Sequence, residues 1–157
     1  MSIRKNKDAV LAMMEAFNNA DPDVVPQLLA RTYRERDSYP LNREMERMPA
    51  IQRIQREIQI VRGAFRDAKY TTRDIVAEGN TVILIWDFTG THTGDFFGRA
   101  ATGRALKVTG YEVVKFNRDG MMIGHYSNHD QTGMEVLGRI GFLDEAALEQ
   151  LGMPPIR

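Results

Sequence analysis

The amino-acid sequence predicts an α+β fold, in which N-terminal helices pack on one face of a strongly curved antiparallel sheet around a central hollow. Apolar residues recur every three or four positions up to about residue 66, and the period then changes to two. Helices followed by long strands of mixed polarity are typical of helices that cover one face of a single sheet. The chain of 157 residues is predicted to form one domain over 1–157.

The first helix is predicted over residues 6–19. Its one-sided apolar stripe consists of Val10, Met13, Met14 and Phe17. Asp21 and Pro22 are typical of a helix start, and they predict a short second helix that runs through Leu28 and Leu29. The polar and irregular segment from Tyr33 to Met48 predicts a loop.

The clearest helical pattern covers residues 49–66. Its apolar face consists of Ile51, Ile54, Ile58, Val61 and Phe65. Arginine and glutamate residues occupy the opposite face, at positions such as Arg53 and Glu57. This pattern predicts a helix that faces the core.

The second half of the chain predicts two hairpins. The first turns at Glu78-Gly79-Asn80 and continues in a long strand from Thr81 to His92, and the second turns at Asp119-Gly120. Two further helices are predicted over 131–141 and 144–152, because each ends at a glycine.

Composition excludes several classes of function. Lys plus Arg equal Asp plus Glu at 21 each, so no net field favours nucleic acid or an anionic membrane. The absence of cysteine excludes disulfides, thiol catalysis and cysteine-ligated metals. The first residues lack an apolar run of signal length, and the longest apolar runs fall short of a membrane span. We therefore expect a cytoplasmic protein.

The segment "GHYSNHDQTG", residues 124–133, carries two of the three histidines. The spacing of His125 and His129 suits a shared metal only on a helix, whereas on a strand the two side chains are about 13 Å apart. A metal site is therefore set aside. Ser127 lacks the GxSxG elbow of a serine nucleophile.

Asp130 has two interpretations that the sequence leaves open. An aspartate directly before a helix caps the free N–H groups of its first turn. A carboxylate at the end of a strand that faces an apolar hollow would instead be a good base for a carbon acid, because loss of solvent raises its pKa.

The glycine-rich stretch "GTHTGDFFGRAATGR", residues 90–104, carries the third histidine, His92. It lacks both GxxxxGK[ST] and GxGxxG, so we interpret its glycines as a bent connection between strands rather than as a phosphate loop. Thr91 and Thr93 can fix the tautomer of His92, which would then donate to a substrate oxygen or simply lie satisfied at the rim of the sheet.

Taken together, "AEGN", "GTHTGDFFGRAATGR", "FNRDGMMIGHYSNHDQTG" and "LGRIG" resemble the SnoaL-like polyketide cyclases, or ester cyclases, in order and spacing. The resemblance runs from about residue 65 to about residue 141. It implies the cone-shaped NTF2-like fold, a homodimer or homotetramer formed through the open sheet face, and intramolecular aldol chemistry without metal or cofactor. By position in the motifs, Asp130 matches the family's acid/base aspartate, and His125 and His92 match its histidines.

From these observations we predict a cyclase that acts on a small, hydrophobic, polyketide-type carbonyl compound. Asp130 is assigned as acid/base, with His125 and His92 polarising a carbonyl or orienting Asp130. The assigned substrate contacts are Trp86, Phe88 and Tyr126. Trp86 and Phe88 share the strand parity of His92, and Tyr126 stands where the family usually has tryptophan.

Two alternatives stay open. A hydrolase or isomerase of the epoxide hydrolase kind would need a second carboxylate and an amide or arginine in the same hollow, for which Asp87 and Asn128 are candidates. A non-catalytic module that binds a small molecule would follow if Asp130 only caps the next helix.

Overall fold

The computed structural model of the protein describes residues 2–35, 45 and 47–129. Helix α1 (Ile3–Asn19) is followed by a 3-10 turn (Pro22–Val24), the short helix α2 (Val25–Leu28), strand β1 (Leu29–Glu35) and the long helix α3 (Ala50–Ala64). The remaining elements are strands β2 (Lys69–Glu78), β3 (Thr81–Thr91), β4 (Ala105–Phe116) and β5 (Met122–His129). The order of helices and strands confirms the predicted α+β class.

The strands form one curled sheet in the order β1-β5-β4-β3-β2. Neighbouring strands from β2 to β5 are antiparallel, and β1 pairs with β5 in parallel. In one row across the sheet, Val82 of β3 lies opposite Val114 of β4, which lies opposite His125 of β5. Because side chains alternate along a strand, this register decides which residues share a face.

The inner face of the sheet forms the core with the helices. On β3 it is lined by Val82, Leu84, Trp86 and Phe88, all buried, while Ile83 and Ile85 on the other face are exposed. Helix α3 buries Ile54, Ile58, Val61 and Ala64. Burial of each large side chain contributes about 1.5–3 kcal/mol, so the apolar stripe that predicted α3 also holds it on the sheet.

Helix α1 lies along the free edge of β2. The Asn18 amide donates to the Tyr70 carbonyl at 3.0 Å and accepts from the Tyr70 N–H at 2.7 Å, as a neighbouring strand would. The ammonium group of Lys7 donates to the carbonyl of Ile75 at 2.9 Å. Backbone groups at the edge of the sheet are therefore satisfied by side chains of a helix.

Several predicted elements are confirmed within a few residues. Asp21 caps the turn that begins at Pro22, where its carboxylate accepts from the Asp23 N–H at 3.1 Å. Both hairpins turn at a glycine with positive φ, +56° at Gly79 and +80° at Gly120. The two predicted C-terminal helices and Asp130 lie outside the described residues.

The predicted loop from Tyr33 to Met48 is wrong at its start, because Tyr33, Arg34 and Glu35 belong to β1. The short second helix also ends at Leu28, and Leu29 begins this strand. The partner of β1 is β5, more than 80 residues further along the chain. A parallel strand with so distant a partner leaves no hairpin signal in the sequence.

Candidate active site

His125 lies on the inner face of the sheet, opposite the buried Val114. Its Nδ1 is hydrogen-bonded to the hydroxyl of Tyr33, a residue of β1 that is only 3% exposed. The two rings also stack, with their centroids 5.9 Å apart and their planes inclined by 24°. One nitrogen and the plane of the imidazole are thereby fixed, which is how a histidine is held in a chosen orientation for catalysis.

Tyr33 is a site residue that the sequence did not reveal. It was placed in the predicted loop, whereas the parallel pairing of β1 with β5 brings it beside His125. Within residues 29–34 of β1, Leu29 and Tyr33 are the buried side chains, and their spacing of four was a local sign of an inward face.

Trp86 and Phe88 form an aromatic wall on the inner face of β3, as predicted. Both are less than a tenth exposed. The ring of Tyr70 meets Trp86 edge-on at 5.5 Å and Phe88 at 4.9 Å between centroids. A Cβ on Gly110 of the next strand would lie 2.4 Å from the indole of Trp86, so only glycine leaves room for that ring.

Tyr126 is not part of this wall. It follows His125 directly on β5 and therefore points to the outer face of the sheet, where it is 40% exposed. The structure does not bring Tyr126 together with Trp86 and Phe88. The physical reason is that successive side chains of a strand point to opposite faces, so the residue after the inward His125 points outward.

His92 is fully buried at the far end of β3. Its Nδ1 accepts from the backbone N–H of Thr102 at 3.3 Å and lies 3.0 Å from the Thr102 hydroxyl. Since Nδ1 accepts the backbone bond, the neutral ring carries its proton on Nε2. Thr102 thus fixes the tautomer, not Thr91 and Thr93 as predicted. Thr91 donates to the carboxylate of Asp67, and the Thr93 N–H donates to the carbonyl of Ala64.

The surroundings of His92 are mostly aromatic and favour a neutral ring. It packs against Phe65 and Phe96 at centroid distances of 5.4 and 6.3 Å. Burial lowers the pKa of His92, and the Gly94 backbone and the Asp95 charge oppose that effect only in part. Its buried Nε2 makes no hydrogen bond of good geometry, although the Gly94 backbone lies near enough to the ring to raise its pKa, so this N–H is a donor that a ligand oxygen could satisfy better.

His92 and His125 lie at opposite ends of the inner face. His125 is level with Val82 of β3, and His92 lies ten residues after Val82 in the chain. That separation is about 33 Å along an extended strand, and the curvature of the sheet shortens it. The two imidazoles therefore do not reach the same carbonyl oxygen.

The other polar candidates fall into two groups. Ser127 shares the inward parity of His125, while the carboxylate of Asp87 points outward, where it lies 3.5 Å from the Arg73 guanidinium and accepts from Thr109 at 2.6 Å. Asp130 and the side chain of Asn128 lie outside the described residues. The strand that leads to Asp130 ends with His129 opposite Gly110, and Gly110 lies opposite Trp86.

Comparison with known families identifies the chain. The family model of the SnoaL-like polyketide cyclases matches residues 7–136. The chain belongs to this family. The match includes the described sheet and the predicted site residues His92, His125, Tyr126 and Asp130. A search among curated proteins gave no match.

Solved structures show the same SnoaL-like, NTF2-like fold. TsrD from Streptomyces laurentii is 21% identical with a TM-score of 0.75, and the alignment covers 91% of this chain and 99% of TsrD. IdmH from Streptomyces antibioticus, a polyketide cyclase candidate, is 26% identical with a TM-score of 0.68 over 87% and 98% of the two chains. AclR from Streptomyces galilaeus, a hydroxylase candidate, is 23% identical with a TM-score of 0.70 over 91% and 100%.

The described part of this SnoaL-like chain shows neither a cluster of metal ligands nor a helix that could span a membrane. In residues 2–35 and 47–129, no three His, Asp or Glu side chains gather in the manner of a metal site. Over the same residues, the helices fall short of the length and apolar character that a membrane span requires.

Proposed function

We propose that the protein is a cyclase that closes a ring in a small, hydrophobic, polyketide-type carbonyl compound by intramolecular aldol chemistry. The observation that carries this proposal is His125, which the Tyr33 hydroxyl orients on the apolar inner face of a SnoaL-like sheet. The compound would lie against Trp86 and Phe88. Walls of this kind exclude water and strengthen interactions with a developing charge.

In the proposed reaction, Asp130 acts as acid and base. Its carboxylate takes a proton from a carbon next to a carbonyl group, and the resulting enolate attacks a second carbonyl of the same molecule. The proton is then returned to the new alkoxide oxygen. His125 donates to the carbonyl oxygen of the enolate, and binding the chain in a folded conformation supplies orientation. None of these steps requires a metal or cofactor.

His92 takes a separate part in this proposal. Since it lies far from His125, it would bind a second oxygen of the same compound rather than the reacting carbonyl. The lowered pKa of His92 and an Nε2 that makes no hydrogen bond of good geometry support that part. Polyketide-type compounds carry several carbonyl oxygens, so one molecule could contact both ends of the inner face.

The similarity to AclR supports a second candidate, an enzyme of hydroxylase type on the same scaffold. The hydrolase alternative loses one of its residues, because Asp87 faces outward beside Arg73. The mass of the product distinguishes the candidates. Ring closure by aldol addition leaves the mass of the compound unchanged, whereas hydroxylation adds one oxygen and hydrolysis adds one water.

The experiment is a comparison of Asp130→Asn with the wild type. Aromatic compounds with 1,3-dicarbonyl groups are first screened for a rise in melting temperature, because a ligand that binds the native state stabilises it. On a compound that is cyclised, Asp130→Asn should lower kcat about 10²–10⁴-fold with little change in melting temperature. Tyr126→Phe on the outer face is the matched control and should keep full activity. A large loss of stability with intact turnover would identify Asp130 as a helix cap and remove the proposal.

We further propose that the protein forms a homodimer or homotetramer through the outer face of the sheet. Four neighbouring strands contribute one row of apolar residues to that face, since Val76, Ile83, Val113 and Tyr126 lie opposite one another in register. Val76, Ile83 and Tyr126 are 51%, 38% and 40% exposed, whereas Val113 between them is buried. An apolar row of this extent is typical of an interface between proteins.

A further inference from the structure

Asn6 places an uncharged amide among the apolar residues on the inner side of α1. It lies four residues before Val10 and eight before Met14, so the three side chains share one face of the helix. All three are buried, and Asn6 is only 1% exposed. Leucine or methionine at this position would favour the helix more and would bury no polar group. The asparagine therefore requires an explanation other than packing.

The side-chain nitrogen of Asn6 is a buried hydrogen-bond donor without a partner among the described residues. The backbone N–H of the same residue donates to the carbonyl of Ser2 at 3.1 Å, so the unsatisfied group is the side chain alone. An unpaired buried donor destabilises a folded protein. Such a donor is commonly completed by a bound molecule or by a buried water.

Hydrogen bonds at two points fix how α1 lies along β2. The ammonium group of Lys7 donates to the carbonyl of Ile75. Further along the helix, the amide of Asn18 is bonded to the backbone of Tyr70. Between these points the helix and the strand cover the same distance, about 16 Å at 1.5 Å per helical residue and 3.3 Å per strand residue. The N-terminal end of α1 therefore lies beside Ile75.

This arrangement places Asn6 at the end of the inner face that carries His125. Ile75, beside the start of α1, lies opposite Leu84 of β3. The adjacent inward row of the sheet runs from Val82 to His125. Helix α1 covers the β2 edge of the sheet, whereas β5 lies near the other edge. The amide and the imidazole are thus presented at the same end from opposite sides.

The surroundings of Asn6 favour an uncharged acceptor. Val10 and Met14 continue the same face of α1 and belong to the hydrophobic core. Lys7, the cation next in sequence, is bonded to the edge of the sheet. A carboxylate or phosphate at this place would exchange its hydration for one neutral donor. The oxygen of a ketone or aldehyde needs no counter-charge, so a carbonyl oxygen is the acceptor that fits.

We propose that the Asn6 amide donates to a carbonyl oxygen of the bound compound and thereby selects compounds with a carbonyl group at the His125 end. The apolar part of the compound lies against Val10 and Met14. Asn6 contributes to affinity and orientation, and no proton is transferred at the amide. The location of the compound, against the inner face of the sheet, rests on the proposed function. Affinity can be measured without turnover, so the two proposals are tested separately.

The test compares two naphthalenes of nearly the same shape. 2-Acetylnaphthalene carries a carbonyl oxygen, and 2-isopropenylnaphthalene carries a methylene group in its place. Equilibrium dialysis with the full chain gives the ratio of the two dissociation constants, in which effects on packing largely cancel. Asn6→Leu should shift this ratio against the ketone about 3–10-fold, which is the effect of one hydrogen bond between neutral groups.

Asn19→Leu is the matched control, because it makes the same change at the exposed last residue of the same helix. It should leave the ratio unchanged. Without ligand, Asn6→Leu should melt no lower than the wild type, since it removes an unpaired buried amide. Asn6→Ala guards against a misfit of the leucine and should shift the ratio in the same direction. The infrared carbonyl stretching frequency of the bound ketone should be lower in the wild type than in either Asn6 variant.

An unchanged ratio in both Asn6 variants would overturn the proposal and would assign the amide to a buried water. A carbonyl stretching frequency that is the same in all proteins, or a wild type that binds neither naphthalene, would overturn it as well. If the ratio depends on Asn6 but the protein cyclises no carbonyl compound, the proposed function fails while the role of Asn6 stands.

Discussion

Single residues in this protein are placed by strand alternation more than by composition. His125 and Tyr126 are adjacent in sequence, yet one binds Tyr33 inside the sheet and the other is exposed outside it. The face of His92 and Trp86 could be predicted from the sequence, because β3 alternates without interruption. The separation of His92 from His125 could not, because it depends on the register of three strands.

The buried His92 should make stability depend on pH. Burial lowers its folded-state pKa below the ordinary value of 6.5, so the unfolded chain binds the proton more readily than the native protein. Stability is therefore complete above pH 6.5 and falls as the pH drops toward the folded-state pKa. His92→Asn keeps an acceptor for the Thr102 N–H but cannot ionise, and we expect its melting temperature to fall less between pH 7.5 and 5.5 than that of the wild type. Parallel melting profiles of the two proteins over this range would contradict this account.

At the scale of elements, the sequence predicted the helices and turns, because each of them has a pattern within a short stretch of the chain. The stripes of α1 and α3 repeat with the helical period and the two turns are marked by a glycine each, and all were found near their predicted places. Strand β1 was missed because its partner lies at the other end of the domain. The position of Tyr33 beside His125 depended on that pairing, so this part of the candidate site was hidden from the sequence.

The end of α1 offers a prediction about one element. Ala20 closes the helix in the left-handed region, at φ +53°, where its N–H reaches the carbonyls of Ala16 and Phe17. A side chain costs about 1 kcal/mol in this conformation, and glycine does not bear that cost. Ala20→Gly should therefore raise the free energy of unfolding by up to about 1 kcal/mol, measured by urea titration. Ala9→Gly, inside the same helix, should lower it by about 0.5–1 kcal/mol. Destabilisation by both changes would show that the cap is not strained.

For the whole molecule, the two faces of the sheet have separate tasks. The inner face carries the core and the candidate chemistry, and the outer face carries the apolar row from Val76 to Tyr126. A SnoaL-like fold was predictable from motifs in the second half of the chain, since these motifs determine strand ends and turns. The alignment of these outward apolar residues in one row across four strands followed only from the register.

The outer row can be tested by a charge at its centre. Ile83→Lys places an ammonium group among Val76, Val113 and Tyr126, so burial against a second copy would require its desolvation. We expect light scattering after gel filtration to give the mass of one chain for Ile83→Lys and a multiple of it for the wild type. Gln52→Lys, which adds the same charge on the exposed side of α3, should keep the wild-type mass. A wild type that is already a single chain at micromolar concentration would contradict the proposed assembly.

The hydrogen bonds from side chains of α1 to the free edge of β2 limit how copies of this protein can associate. Asn18 and Lys7 occupy backbone groups of Tyr70 and Ile75 that an incoming strand would need. A second copy is thereby steered away from this edge and toward the face of the sheet. Two copies that associate through the same face form a closed pair. Copies that associate edge to edge can keep adding further copies. The amide of Asn18 therefore helps to keep any association of this chain finite, and its loss would open a route to fibres.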